Sequence, residues 1–161
     1  MRFEHLIEIN SPAAALQGVM DTFTREQLWR GLMLKVMSPE RFDNGPQRAV
    51  CISPQADQVQ RTLHFGEHVL HDVVELTPMQ RVVFTPQAHG ELAPIRLTVS
   101  IEEPQPRQMV LRFVYEALGE QTAEEASFNG YRHSAWLHAD RDTVSQLREW
   151  LGNGELSRAV N

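Results

Sequence analysis

Cysteine is almost absent from this 161-residue chain, and the single residue, Cys51, excludes any intramolecular disulfide. Its setting, Ala49-Val50-Cys51-Ile52, is that of a small apolar strand residue rather than an exposed, electropositive reactive thiol. A reducing compartment is compatible with that usage. Basic runs are missing too. The formal net charge is −6 with both signs interspersed, so no Lys/Arg stripe supplies the footprint of a nucleic-acid binder. No stretch is apolar enough to span a bilayer. The N-terminus runs straight into Phe3-Glu4-His5, without the charged and apolar regions of a secretory leader. Together these absences predict a cytoplasmic protein. A Gly-x-Ser-x-Gly elbow, a phosphate-binding glycine loop and a His-Glu-x-x-His string are also lacking. No motif names a reaction, and no cofactor or metal is expected.

What is present is an uneven order of secondary-structure signals. The chain reads as one domain, residues 1–161, able to bury roughly 70% of its unfolded surface without a disulfide or metal. Arg2–Ile9 alternates, with Phe3, His5, Ile7 and Ile9 on one face and Glu4 and Glu8 on the other, as a half-buried strand requires. Ser11-Pro12 opens a short helix through Ala13–Met20. Thr24-Arg25-Glu26-Gln27 forms a capping box before the stripe Leu28, Trp29, Leu32, Met33 and Val36, and Ser38-Pro39 stops that helix. Six strands follow: Ala49–Ile52, Gln58–Phe65, His68–Leu76, Arg81–Thr85, Ile95–Ile101 and Met109–Glu116. Pro marks most of their junctions and is expected to stay out of strand interiors. Gly66-Glu67 suits a two-residue type II′ hairpin. A polar, acidic stretch, Gln121–Ser127, leads into a long helix with the stripe Leu137, Val144, Leu147 and Leu151, closed by Gly152-Asn153-Gly154. The prediction is an α+β fold in which a curved seven-stranded antiparallel sheet wraps around a long C-terminal helix, an arrangement that encloses a pocket.

Several strings carry a resemblance. They are Phe3-Glu4-His5-Leu6-Ile7, Thr24 to Leu32, Leu63-His64-Phe65-Gly66, Thr98 to Pro104, and Tyr131 to Trp136 running into Ala139 to Val144. With this order of elements, the chain resembles the AtaL-like family of the START-like (SRPBCC, Bet v 1-like) superfamily, whose fold is the helix-grip. The resemblance spans nearly the whole chain and implies a small hydrophobic or amphipathic ligand held between sheet and helix. It also implies a cyclase-like role in some members, the naming member being associated with antibiotic biosynthesis. It supplies no catalytic residues. The acidic Gln121–Ala126 stretch and the Ala-rich Pro12–Leu16 segment depart from the family pattern.

Candidate site residues come from register. His64, His68 and His71 fall within eight residues, yet hairpin pairing puts His64 and His71 on one face and His68 on the other, against a three-His metal site. The same pairing sets Arg61 opposite Asp72 on the more apolar face, with Val59, Leu63, Phe65, Leu70, Val74 and Leu76. The two charges either neutralise each other or leave the Arg61 fork for a ligand carbonyl or carboxylate. His5 and Tyr115 lie on apolar faces, as satisfied core residues or as cavity groups able to move a proton. Leu63, Leu97, Val99 and Phe113 complete the expected cavity wall. Two readings stay open: a module binding a small hydrophobic molecule, and a cyclase- or dehydratase-type enzyme acting on a polyketide-like or aromatic substrate. The acid/base group of the enzyme would come from His5, Tyr115 or the Arg61–Asp72 pair.

Overall fold

The computed structural model describes residues 1–18 and 21–157. Seven strands form one antiparallel sheet: β1 (Arg2–Asn10), β2 (Arg48–Gln55), β3 (Gln58–Phe65), β4 (His68–Thr77), β5 (Arg81–Pro86), β6 (Ile95–Glu102) and β7 (Met109–Ala117). Their order is β1-β7-β6-β5-β4-β3-β2, so β2 to β7 run as a meander and β1 closes against β7. Four helices accompany the sheet: α1 (Pro12–Gln17), α2 (Arg25–Met37), α3 (Ala123–Ser127) and α4 (Asn129–Gly152). This is the helix-grip arrangement, with α4 lying along the concave face.

Local chemistry accounts for the element ends. The Thr24 side chain accepts from the Gln27 amide and the Gln27 side chain accepts from the Thr24 amide, completing the capping box. At the β3–β4 turn Gly66 takes φ +61°, the conformation a hairpin of this length demands and a side chain would strain. The predicted register holds throughout that hairpin, with Arg61 opposite Asp72, Thr62 opposite His71 and Phe65 opposite His68.

Three expectations need correction. The first helix stops at Gln17, closed by Gly18 at φ +64°; the rest of its expected length, Val19 and Met20, lies outside the described residues. The second strand does not end at Ser53-Pro54 but continues through Pro54 to Gln55. It is an edge strand, where a missing amide donor breaks no ladder, and its register shifts between Ile52 and Gln55. The C-terminal helical region is two helices: Thr122 caps a five-residue α3, and α4 restarts after Phe128.

The core lies between the concave face and the helices. Leu111, Val74 and Val82 from the sheet, Leu28 and Val36 from α2, and Leu147 from α4 are all fully or almost fully buried. Leu70 shares the inner face of β4 by register but is 46% exposed, because the hairpin tip overhangs the helices. On the convex face, Arg112 pairs with Glu102 and Glu4, and Arg96 and Arg2 pair with Glu116, forming a solvated charge lattice.

Candidate functional site

Alternation along β1 and β7 turns His5 and Tyr115 inward, since Phe3 opposes Tyr115 and His5 opposes Phe113. Across from them, α4 points Asp140 at the sheet. The Asp140 carboxylate is 7% exposed by residue, and one of its oxygens takes both inward donors. His5 donates from Nε2 to Oδ2 at 2.7 Å, and the Tyr115 hydroxyl donates to the same Oδ2 at 2.7 Å. His5 Nδ1 is buried and has no hydrogen-bond partner among the described residues. Aromatic rings fix both donors: His5 stacks on Phe113 with centroids 4.8 Å apart, and Tyr115 stacks on Trp136 at 4.2 Å.

The electrostatics follow from burial. Desolvation pushes the Asp140 carboxyl above its ordinary range, against the opposing pull of the Tyr115 and His5 hydrogen bonds. Burial also raises the Tyr115 phenol, and the Asp140 charge and hydrogen bond raise it further, so Tyr115 stays a neutral donor at physiological pH. The result is a carboxylate that holds a proton more readily than a surface aspartate and is oriented by two donors that remain in place.

Asp140 forms part of the wall of a pocket of about 290 Å³ between the sheet, α2 and α4. The sheet side is apolar, with Leu63, Leu97, Val99, Leu111, Phe113 and Phe84; the helix side carries Lys35, Asn44, Asp140 and Thr143. Depressions of about 610 and 720 Å³ elsewhere lie on the outer surface and are lined mostly by polar groups.

Six of the eight residues expected at the site, Leu63, Leu97, Val99, Phe113, Arg61 and Asp72, line this pocket. His5 and Tyr115 stand behind Asp140 rather than on the lining. The Arg61 fork is committed. Nε and Nη2 donate to the two Asp72 oxygens at 2.8 and 2.6 Å, and Nη1 donates to Val36 O at 3.1 Å and Lys35 O at 3.3 Å. Arg61 therefore neutralises Asp72 and satisfies two carbonyls left open in the last turn of α2. On the outer face of the hairpin His64 meets Arg48 and His71 meets Thr62, while His68 points the other way.

Asp140, Lys35 and Asn44 escaped the sequence reading. A signal for Asp140 was present: it falls on the buried stripe of α4, four residues after Trp136 and four before Val144. A carboxylate at such a position requires buried donors opposite it.

The family model described as AtaL, acetylaranotin biosynthesis cluster protein L, matches residues 7–154. The chain belongs to the AtaL family. Among solved structures, this AtaL-family chain is similar to the di-domain ARO/CYC StfQ from the steffimycin biosynthetic pathway, with TM-score 0.64 and 15% identity over 92% of its length. It spans about half of StfQ, 49% of that chain. It is also similar to the Zhui aromatase/cyclase from Streptomyces sp. R1128, with TM-score 0.60 and 10% identity, covering 94% of this chain and 95% of that one. The Aha1 dimer from Colwellia psychrerythraea gives TM-score 0.56 and 14% identity, covering 94% and 96%. At these identities the likeness establishes the shared helix-grip fold alone. No curated protein matches the sequence. No helix among the described residues is long and apolar enough to cross a membrane.

Proposed function

We propose that this AtaL-family protein is a cyclase- or dehydratase-type enzyme that binds a polyketide-like or aromatic carbonyl compound between the sheet and α4. The observation that carries this reading is Asp140: a pocket-wall carboxylate with one oxygen fixed by His5 and Tyr115. Its other oxygen, Oδ1, accepts no hydrogen bond among the described residues, leaving it available to a substrate.

In this mechanism the ionised Asp140 takes the proton from a carbon between or beside carbonyl groups. The electron pair of that C–H bond becomes an enolate. The enolate carbon attacks a second carbonyl of the same molecule, forming the ring C–C bond, and the proton held by Asp140 goes to the resulting alkoxide. Loss of water then gives the unsaturated ring. A carboxyl with a raised proton affinity suits both halves of this cycle. Tyr115 and His5 keep the carboxylate aimed and soften its charge. The apolar sheet wall packs the substrate in a folded shape, which supplies proximity. Fold-level similarity to aromatase/cyclases adds support by analogy.

Binding without chemistry is the second reading, favoured by the largely apolar lining and a volume near the lower end of the ~300–1,000 Å³ usual for small-molecule sites. The 1,5-diketone 2,6-heptanedione separates the two. Intramolecular aldol closure with dehydration converts it to an enone that absorbs in the ultraviolet. Turnover by the protein that falls by about 100-fold or more in Asp140→Asn supports the enzyme. Equal rates for the wild type and Asp140→Asn would sink the acid/base role.

A further inference from the structure

Of the fifteen basic residues in this chain, fourteen are arginine; Lys35 is the single lysine. It sits in the last turns of α2, where its side chain forms part of the pocket wall. The Nζ lies 4.5 Å from the centroid of the Phe42 ring and donates to Asn44 Oδ1 at 3.0 Å. Asn44 is held in turn, donating from Nδ2 to Ala139 O at 3.0 Å on α4. Among the described residues no carboxylate lies within ion-pair distance of Lys35. The charged groups around it are Asp140 from α4 and Arg61 from β3, and Arg61 is already paired with Asp72 from β4.

Everywhere else this chain uses arginine for its cations. Arginine stays protonated; lysine can lose its proton and become a nucleophile. From the amine's place in a largely apolar pocket, its neutral hydrogen-bond partner and its lack of a counter-ion, we propose that Lys35 captures an aldehyde or ketone ligand covalently, as an imine. The proposal requires a carbonyl ligand and stands apart from the cyclisation described above.

The step balances without a co-reactant. The lone pair of the neutral amine attacks the carbonyl carbon, the C–N bond forms and the C–O π pair moves to oxygen. A proton passes from nitrogen to that oxygen, giving a carbinolamine. The nitrogen lone pair then expels the hydroxyl group, which leaves as water after taking one proton from solvent or from the Asp140 carboxylic acid. A protonated imine remains. Burial lowers the Lys35 ammonium to about 8, with Asp140 opposing the shift and Arg61 assisting it, so that roughly a tenth of the amine is neutral at pH 7.

The chain makes the test unusually clean, because the only other primary amine is at the N-terminus. The folded protein is incubated with benzaldehyde and sodium cyanoborohydride at neutral pH, and peptide mass spectrometry locates the benzyl group. The expected result is labelling of Lys35 about tenfold or more faster than the same lysine in urea-unfolded protein. Lys35→Arg and Lys35→Met, each checked for cooperative unfolding, should keep only the N-terminal label. Label confined to the N-terminus of the wild type, or a Lys35 rate no higher than in the unfolded chain, overturns the proposal. The folded-versus-unfolded comparison needs no variant, so it decides even where a substitution fails to fold. Diketone turnover without Lys35 labelling would refute capture alone; labelling without turnover would refute the cyclase reading alone.

Discussion

The Arg61–Asp72 pair makes a quantitative prediction about stability. Their side chains are 6% and 10% exposed, and the bidentate bonds of 2.8 and 2.6 Å use both carboxylate oxygens. Arg61→Leu leaves Asp72 as an unpaired, mostly buried charge and also frees the Lys35 and Val36 carbonyls. The first effect costs about 3–5 kcal/mol and each released carbonyl about 1 kcal/mol more. Asp72→Leu strands the guanidinium instead but keeps its bonds to α2, so it should cost about 3–5 kcal/mol. In the double variant the stranded charge disappears. Only the released carbonyls remain, so its cost should fall below that of either single change, and the two changes should be strongly non-additive. Urea unfolding of the four proteins measures this, and for a domain of this size each kcal/mol moves Tm by roughly 2–4 °C. Single changes below about 1 kcal/mol that add without coupling would mean the pair behaves as a solvent-screened surface bridge. The account of Arg61 as the clasp between β3, β4 and α2 would then be wrong.

Three further outcomes follow from the site. Tyr115→Phe removes one of the two donors that restrain the Asp140 pKa, so the acidic limb of the pH–rate profile should move to higher pH; a limb that stays put, measured with the same diketone, counts against Asp140 as the titrating group. Lys35 binds fewer protons folded than unfolded between pH of about 8 and 10.5, so its contribution to stability rises with pH across that window. Lys35→Met should abolish that rise and stabilise the protein at pH 7 by about 1–3 kcal/mol, as read from urea unfolding at both pH values. Gly45→Ala should destabilise by about 1–3 kcal/mol or more, because a Cβ there would lie 1.9 Å from the Pro39 carbonyl oxygen; a thermal melt unchanged from wild type would contradict that packing.

Much of the architecture is legible in the sequence because strand alternation and the Gly66-Glu67 turn are local signals. Once that turn is placed, the pairing of Arg61 with Asp72 is arithmetic. The faces of β6 and β7 are equally readable, which is why Leu97, Val99 and Phe113 can be placed together on the concave side. The limits are also physical. Pro54 reads as a strand terminator unless β2 is known to lie at an edge, and edge position is a property of the whole sheet. Leu70 reads as core because alternation says nothing about where the helices stop covering the sheet. Asp140 and Lys35 are charged residues on helices, and charged residues there usually face water. Only packing against β1, β7 and the 39–46 loop turns these two inward. The shared oxygen of Asp140 depends on residues 135 and 25 positions away in sequence, a distance no local pattern spans.

The irregular course of β2 has a consequence beyond the misread boundary. An open sheet ends in rows of unpaired amides and carbonyls, which can recruit a strand from another molecule. At this edge Pro54 offers no amide, and the shifted register between Ile52 and Gln55 breaks the even spacing an incoming strand would need. Ile52, at 60% exposed, and Val50, at 45%, would otherwise make the strand an adhesive surface. The proline inside β2 thus guards the open margin of the sheet against growth by strand addition.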